Sequence, residues 1–337
     1  MTAVRVRECG SPEEVGSPQA WDALVARPPA SLCCSYTWCA AAFAAAHPDA
    51  EPFVLAVDAG ERLIGVLPLA LHRHASGPVL RFAGAPHNDM TDVMVLPGHE
   101  EHVREAIVAA LEAAAARGWS VSLEDIDPHG VLAGGDREGW PGTWSVDDPA
   151  PVVALARWRS AAAPRRIAAW ERALERLRRR HDVRFRCAEA DDARRALPDF
   201  MRLRRARLAA TGREELPPHA FLQEAVERLA GSGGCAIMEM LIDGELAASD
   251  VYLAQRPTAM LWVRGLDPRW SRHPCGHLLL RASGEHFRRA GFETLDFGRG
   301  DEPYKALFGA DRRALLRLDV PARAPTATQP RLAEPAR

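Results

Sequence analysis

The sequence predicts an α/β (α+β) fold in two halves, each a mostly antiparallel mixed sheet flanked by helices. Both halves repeat one order of elements: helices, an antiparallel meander, a helix and a strand. The 337 residues suffice for two domains, and 47% hydrophobic residues suffice for packed cores. We expect one separate sheet in each half. The predicted divisions are an N-terminal domain at 1–150, a connector with an amphipathic helix at 151–182, a C-terminal domain at 183–320 and a disordered tail at 321–337.

The first half combines two clear helix signals with five strand signals. Ser35 can cap a helix that runs through residues 36–46. An alanine-rich helix at 100–117 ends before Gly118, which suits a helix C-terminus. The stretch 128–150 is rich in Gly, Pro, Asp and Trp, and we interpret it as a connector. Short apolar runs predict strands at 52–58, 63–72, 79–82, 91–96 and 119–126.

The second half follows an amphipathic helix at 164–180, whose apolar residues share one face. A helical pattern at 192–210 contains Pro198, which we expect to interrupt or restart the helix. The Asp-Gly pair at 243–244 lies between apolar runs and is a strong hairpin signal. Two further helices are predicted at 218–230 and 276–290. The predicted strands span 182–187, 235–242, 245–254, 260–266, 293–297 and 314–320.

Lys305 is the one residue that the composition singles out. It is the only lysine, so the other 42 of the 43 basic residues are arginine. An ammonium is a compact point charge, whereas a guanidinium is a wide planar fork. We therefore expect the chain to need an ammonium at this position, aimed at one oxygen or phosphate. A short strand and a Gly-Arg-Gly turn precede Lys305, and such strand-end loops often carry binding and catalytic residues.

Residues 296–309, Asp-Phe-Gly-Arg-Gly-Asp-Glu-Pro-Tyr-Lys-Ala-Leu-Phe-Gly, resemble the C-terminal signature of the BioF2-like acetyltransferases. These form a branch of the Gcn5-related N-acetyltransferase (GNAT) superfamily that includes CelD-type cellulose-biosynthesis proteins. The segment also resembles the Phe-Lys-x-x-Phe ending of the FemAB aminoacyltransferases. Trp38, Phe43, the run 65–69 and the Asp89-x-x-Asp92 spacing resemble the first domain of the same branch. The resemblance covers about 20–320 and implies tandem GNAT domains.

The resemblance implies an N-acyltransferase, with acetyl transfer as the first expectation. It would move an acyl group from acetyl-CoA or another acyl-CoA to an amine of a small molecule or a sugar or cell-envelope precursor. One alternative is a FemAB-like aminoacyltransferase that uses aminoacyl-tRNA. The other is a catalytically inactive GNAT scaffold in polysaccharide synthesis.

Three residues of this signature are the predicted catalytic groups. Lys305 could bind a phosphate or stabilise the tetrahedral oxyanion. The resemblance to FemAB enzymes implies the second role, which is the one assigned to the lysine of their corresponding motif. Tyr304 could act as general acid for the departing thiolate, as in other GNATs, or be a packed core residue. Asp296 could act as general base, because burial raises the pKa of a carboxyl, or it could anchor the glycine-rich turn.

Arg272, Cys275, Gly276 and His277 are the predicted cofactor-binding residues. They lie at an expected helix start, where backbone amides bind phosphate. The segment resembles the GNAT Gln/Arg-x-x-Gly-x-Gly/Ala loop that holds the CoA pyrophosphate, but keeps only part of that pattern. A purely structural helix start is the alternative. His273 and His277 also have metal-ligand spacing, but a proline and a glycine place them across a loop–helix junction, so we expect no metal.

Asp89, Asp92, Trp262 and Arg299 are the predicted substrate-binding residues. The two aspartates could hold a cationic acceptor that faces the second half, although ordinary turn chemistry also explains Asp89.

Charge and cysteine content restrict the partners and the compartment. A net charge of −2 predicts no general attraction to nucleic acid or anionic membranes, so nucleic acid is expected only as tRNA under the FemAB alternative. The arginines at 165–186 alternate with glutamates, which favours a solvated helix face. Seven cysteines without Cys-x-x-Cys spacing predict a reduced, cytoplasmic protein, and no apolar run reaches the length of a membrane span. The oligomeric state stays open.

Overall fold

The computed structural model describes residues 3–26, 30–45, 50–135, 137–212 and 217–323. The strands are β1 (Val4–Cys9), β2 (Ala50–Ala59), β3 (Arg62–His74), β4 (Gly77–Phe82), β5 (Met94–Val95), β6 (Ser120–Ile126), β7 (Thr143–Ala154), β8 (Val183–Glu189), β9 (Cys235–Ile242), β10 (Glu245–Gln255), β11 (Thr258–Leu266), β12 (Thr294–Asp296) and β13 (Asp311–Val320). The helices are α1 (Pro12–Val15), α2 (Pro18–Asp22), α3 (Ala30–Cys33), α4 (Tyr36–Ala45), α5 (Glu100–Ala116), α6 (Trp158–Ala161), α7 (Pro164–Arg178), α8 (Asp191–Thr211), α9 (His219–Gly231), α10 (Cys275–Arg289) and α11 (Pro303–Ala306). None of these helices is long and apolar enough to cross a membrane.

The two halves contain the same supersecondary unit. In the first half, β1 to β4 are antiparallel, and α5 then returns the chain to β6, which lies parallel to β4. In the second half, β8 to β11 are antiparallel, and α10 leads to β12, which lies parallel to β11. Helices fill the gap between the first and second strand of both units. The predicted duplication of architecture is confirmed.

The halves share one sheet because the strand that follows each unit pairs with a strand of the other unit. The strand that follows the first unit, β7, pairs with β12 of the second unit. The strand that follows the second unit, β13, pairs with β6 of the first unit. Since β7 and β13 also pair with each other, the described residues form one 13-stranded sheet in the order β1-β2-β3-β4-β6-β13-β7-β12-β11-β10-β9-β8, with β5 beside β3.

Three sequence predictions need correction. The prediction of a separate sheet in each half is wrong. The exchanged strands pair with the hydrogen-bonding edges that would otherwise divide the halves. The prediction of a connector at 128–150 is wrong for its last part, since β7 begins at Thr143. Pro198 does not interrupt α8, because the buried side chains of Leu197, Phe200 and Met201 hold the helix against the core on both sides of it. The part of the predicted tail that follows residue 323 lies outside the described residues.

Aromatic packing joins the halves on one face of the sheet. Trp38 of α4 is fully buried, and its ring lies 5.2 Å from Phe221 of α9 and 5.1 Å from Trp262 of β11. The indole N–H of Trp262 donates to the carbonyl of His87 at 3.2 Å. Ser35 caps α4 as predicted, because its hydroxyl accepts from the amide of Trp38. A single hydrophobic core therefore covers the contact between the halves.

Removal of β13 should abolish cooperative folding. A chain that ends after residue 310 would expose the hydrogen-bonding edges of β6 and β7 and lose the buried side chains of Leu315, Leu318 and Val320. Each such side chain contributes roughly 1.5–3 kcal/mol. We expect aggregation and no cooperative thermal transition by circular dichroism. The control chain ends at Arg323 and should melt like the full chain. Equal melting of the two truncated chains would contradict the assigned strand exchange.

Candidate active site

A cavity opens beyond the point where the pairing of the two parallel strands of the second half ends. β11 and β12 pair over three residues, ending at Met260 and Asp296, where β12 itself ends. The space beyond them has a volume of about 990 Å³. Eight of the predicted site residues line it: Asp89, Trp262, Arg272, Gly276, His277, Arg299, Tyr304 and Lys305.

Lys305 lies buried beneath the loop that follows β12. Its ammonium donates to the carbonyls of Gly298, Arg299 and Gly300 at 2.9, 2.6 and 3.1 Å. The carboxylate of Glu302 lies 2.9 Å from the same nitrogen. Three carbonyls that converge on one point match the three donors of an ammonium, which a planar guanidinium cannot satisfy. Lys305 therefore fixes the path of the loop from Gly298 to Gly300.

Asp296 anchors the start of the same loop. It is fully buried, and one carboxylate oxygen accepts from the amide of Gly298 at 2.9 Å. The other oxygen accepts from Arg313 of β13 at 2.6 Å. Gly298 has a φ of +67°, and a Cβ there would lie 2.8 Å from the carbonyl of Leu261. The loop can thus approach β11 because residue 298 is glycine.

Arg299 connects this loop to the first half of the chain. Its guanidinium donates to Asp125 at 2.9 Å and to the carbonyl of Pro86 at 2.7 Å, and its Nε lies 3.9 Å from Asp89. Burial raises the pKa of Asp89 to about 7, although the charges of Arg299 and Lys305 oppose this rise. Burial likewise raises the pKa of Asp125 to about 8 against the charge of Arg299. Two carboxyls that titrate near neutral pH therefore share one arginine.

Tyr304 lines the cavity beside Lys305. Burial raises the pKa of Tyr304 to about 12, although the nearby Arg264 guanidinium opposes the rise. That guanidinium lies 5.3 Å from the centre of the Tyr304 ring. Tyr304 consequently keeps its proton at neutral pH and can donate a hydrogen bond into the cavity.

The start of α10 forms another wall of the cavity. The cap residue, Pro274, provides no side-chain hydrogen bond to the first turn. Gly276 and His277 follow and line the cavity, with the exposed side chain of Arg272 beside them. A Cβ on Gly276 would lie 3.3 Å from Leu266 and 3.5 Å from the Arg264 guanidinium. The first amides of such a helix are available to an anionic ligand.

Three predicted residues do not line the cavity. Asp92 is fully buried and accepts from the amides of Val131 and Leu132 at 2.8 and 2.9 Å, so it fixes a loop of the first half. Asp296 is enclosed by the contacts described above. Cys275 points into the hydrophobic core of the second half.

Sequence reasoning missed the charged pair whose arginine, Arg264, lines the cavity. Asp250 of β10 is fully buried and receives two hydrogen bonds of 2.7 Å from Arg264 of β11. The two residues face each other in the antiparallel register. Two opposite charges at facing positions of an apolar hairpin were the available signal. Asp125 carried no comparable signal, because only the tertiary fold brings it to Arg299.

Comparisons with known proteins agree with this architecture. Residues 164–306 match the family model described as an acetyltransferase (GNAT) domain. FemX is similar with a TM-score of 0.62 at 10% identity, covering 94% of this chain and 97% of FemX. A tandem GNAT protein from the clavulanic acid biosynthesis pathway has a TM-score of 0.52 at 16% identity, with 96% and 99% covered. The L-PGS of Bacillus licheniformis has a TM-score of 0.57 at 11% identity, with 77% and 82% covered. No curated protein sequence matches significantly.

The structural similarities concern the fold, since all three identities are low. Together with the family match they confirm the predicted fold class of tandem GNAT domains.

Replacement of Lys305 should destabilise the protein whatever its activity. Lys305→Met leaves one buried and two half-buried carbonyls without their donor, and an unsatisfied buried group costs roughly 1–3 kcal/mol. Lys305→Arg keeps the charge but cannot direct three donors at one point. We expect both variants to lose at least about 2 kcal/mol of unfolding free energy in urea titrations.

Glu302→Gln is the matched control, because Glu302 is half exposed and its ion pair with Lys305 should contribute less than about 1 kcal/mol. An Lys305→Arg protein as stable as the parent would show that the loop does not depend on the ammonium.

Proposed function

We propose that this chain, whose residues 164–306 match the acetyltransferase (GNAT) domain model, is an N-acyltransferase that moves an acyl group from acyl-CoA to an amine. The observation that carries the proposal is the cavity between β11 and β12. It joins an anion-binding helix start, a carboxyl that titrates near neutral pH and a protonated tyrosine.

The start of α10 suits the phosphates of the donor. Its amides and the side chain of Arg272 offer positive potential at the cavity wall. A Cβ on Gly276 would meet Leu266 and the Arg264 guanidinium, so glycine lets this helix start lie close to β11. The pairing of β11 with β12 ends at Met260 and Asp296, so amides of the pantetheine arm would pair with the edge of β11 beyond that point.

Asp89 suits the role of general base. An amine is protonated at neutral pH and must lose a proton before it attacks a thioester. A carboxyl with a pKa of about 7 is partly ionised at neutral pH and is basic enough to accept that proton. Asp89 also carries the charge that would attract a cationic acceptor, so the binding role predicted from the sequence and the catalytic role coincide.

Tyr304 suits the stabilisation of the leaving group by a hydrogen bond. Its pKa of about 12 lies above the value of about 8.5 for a free thiol, so complete proton transfer to the thiolate is unfavourable. A hydrogen bond to the sulfur or to the developing oxyanion requires no transfer and is effective in a site that excludes water.

Lys305 and Asp296 act as positioning residues in this proposal. Both are engaged by the loop at 298–300, which presents Arg299 to Asp89. Each could affect turnover through the placement of that arginine and the pKa of Asp89. An oxyanion role for Lys305 would require its ammonium to leave three carbonyl acceptors.

The acceptor is proposed as an amine of a small molecule or of a sugar or cell-envelope precursor. Aminoacyl-tRNA is the alternative donor, implied by the resemblance of residues 296–309 to the FemAB aminoacyltransferases, and an inactive scaffold is the remaining alternative. A cytoplasmic location, a small-molecule partner and acetyl as the acyl group stay predictions.

Calorimetry with acetyl-CoA tests the donor site. Gly276→Asp places a side chain and a negative charge at the helix start, so we expect at least a tenfold loss of affinity. Gly276→Asn has the same size without the charge and should lose less. Equal affinity of all three proteins would exclude this helix start as the pyrophosphate site. An absence of acetyl-CoA binding to the parent protein would favour the aminoacyl-tRNA or scaffold alternatives.

The pH dependence of turnover tests Asp89. The folded-state pKa of Asp89 is raised, so the base form accumulates as pH increases and kcat/KM should increase with pH through about 7 before it levels off. Asp89→Asn should reduce kcat/KM about a hundredfold and remove this increase.

Asp92→Asn is the control for Asp89. Burial raises the pKa of Asp92 to about 6, against the hydrogen bonds of Leu132 and Val131, but the residue lies outside the cavity. We expect its pH profile to keep the increase near pH 7. Loss of that increase only in Asp92→Asn would contradict the assignment of the base.

A further inference from the structure

Three potential metal ligands meet at the free edge of the sheet, two from one strand and one from a helix about a hundred residues later in the chain. Cys187 and Glu189 lie two residues apart on β8, and His286 lies on α10. The sulfur of Cys187 lies 3.7 Å from Oε1 of Glu189, and Nε2 of His286 lies 3.5 Å from the same oxygen. All the ligand atoms lie within 4.8 Å of one another.

Two of the three separations match a tetrahedral zinc site. Zn–S bonds of about 2.3 Å and Zn–O and Zn–N bonds of about 2.1 Å, set at the tetrahedral angle, place sulfur and oxygen about 3.6 Å apart and nitrogen and oxygen about 3.4 Å apart. The observed 3.7 and 3.5 Å differ from these values by about 0.1 Å. The sulfur and the imidazole nitrogen lie within 4.8 Å of each other, and zinc would require rotation of these side chains to a separation of about 3.6 Å.

The backbone that carries the ligands is rigid. β8 pairs with β9 along its full length, including Cys187 with Met238 and Glu189 with Ala236. His286 lies in the last turn of α10, next to the fully buried Phe287. Nε2 of His286 is buried, and no hydrogen-bond partner for it exists in the described part of the chain. An imidazole nitrogen that makes no hydrogen bond keeps its lone pair available to a metal ion, and the ion-pair contact of this nitrogen is with Glu189, another member of the cluster.

We propose that Cys187, Glu189 and His286 bind one Zn²⁺ ion, with water as the fourth ligand. A thiolate, an imidazole and a carboxylate together suit zinc, whereas Mg²⁺ and Ca²⁺ prefer oxygen ligands alone. Binding replaces the thiol proton by the metal, so the Cys187 S–H bond breaks, a sulfur–zinc bond forms and one proton enters solution. Neither oxidation nor reduction takes place.

The site would connect the edge strand to the helix that bounds the active-site cavity. Cys187 and His286 also line a groove of about 590 Å³ between β8, α7 and α10. Zinc there would hold the end of α10 against β8, while the opposite end of the same helix faces the cavity between β11 and β12. The inference concerns a structural ion and does not depend on the proposed acyl transfer.

Metal binding can be tested on the full chain purified without a histidine tag. Titration with Zn²⁺ in two buffers of different ionisation enthalpy should give one site per chain and the release of one proton. Co²⁺ in place of zinc should produce thiolate-to-cobalt charge-transfer absorption. Zinc should also raise the melting temperature of the parent protein.

Cys187→Ser, Glu189→Gln and His286→Gln should each weaken zinc binding at least tenfold, and Cys187→Ser should remove the charge-transfer absorption. His273→Gln is the control, because His273 belongs to the other His/Cys group of the sequence and should leave zinc affinity unchanged. Circular dichroism verifies that each variant is folded. Absence of zinc binding to the parent, or cobalt absorption that persists in Cys187→Ser, would overturn the proposal.

Discussion

The exchange of β7 and β13 is the constraint on which the rest of the structure depends. Each unit alone would end in an unpaired strand edge, and the exchanged strands close both edges at once. The exchange also determines where β12 lies, because β12 is only three residues long and is held between β7 and β11. The cavity begins where this short strand and its pairing with β11 end. Fold and site therefore share one cause.

The loop after β12 brings the charged groups of the candidate site together. Asp296 fixes its beginning through Arg313 of the exchanged strand, and Lys305 fixes its middle through three carbonyls. The loop then delivers Arg299 to two carboxyls of the first half. Burial of an arginine between carboxyls is costly unless hydrogen bonds satisfy it, which here they do. The neutral-range pKa of Asp89 is thus a property of both halves together.

The structure gives a physical reason for the presence of the only lysine of the chain at position 305. The surface can use arginine throughout, since an exposed guanidinium and an exposed ammonium are both solvated. Beneath the loop the requirement differs, because the donors must converge on Gly298, Arg299 and Gly300 from one atom. The sequence indicated that an ammonium was required, but it suggested a ligand oxygen or phosphate. The structure shows backbone carbonyls in that position.

The sequence by itself determined the local elements and the segments that form the site. Alternating apolar residues located the meander at 235–266, and the segments at 272–277 and 296–309 proved to border one cavity. Tertiary structure alone decided the strand exchange, the partner of Asp296, the meeting of Arg299 with Asp125 and the convergence of Cys187 with His286. The reason is physical: hydrophobic periodicity reports which face of an element is buried, but it does not report which distant strand or charge lies against that face.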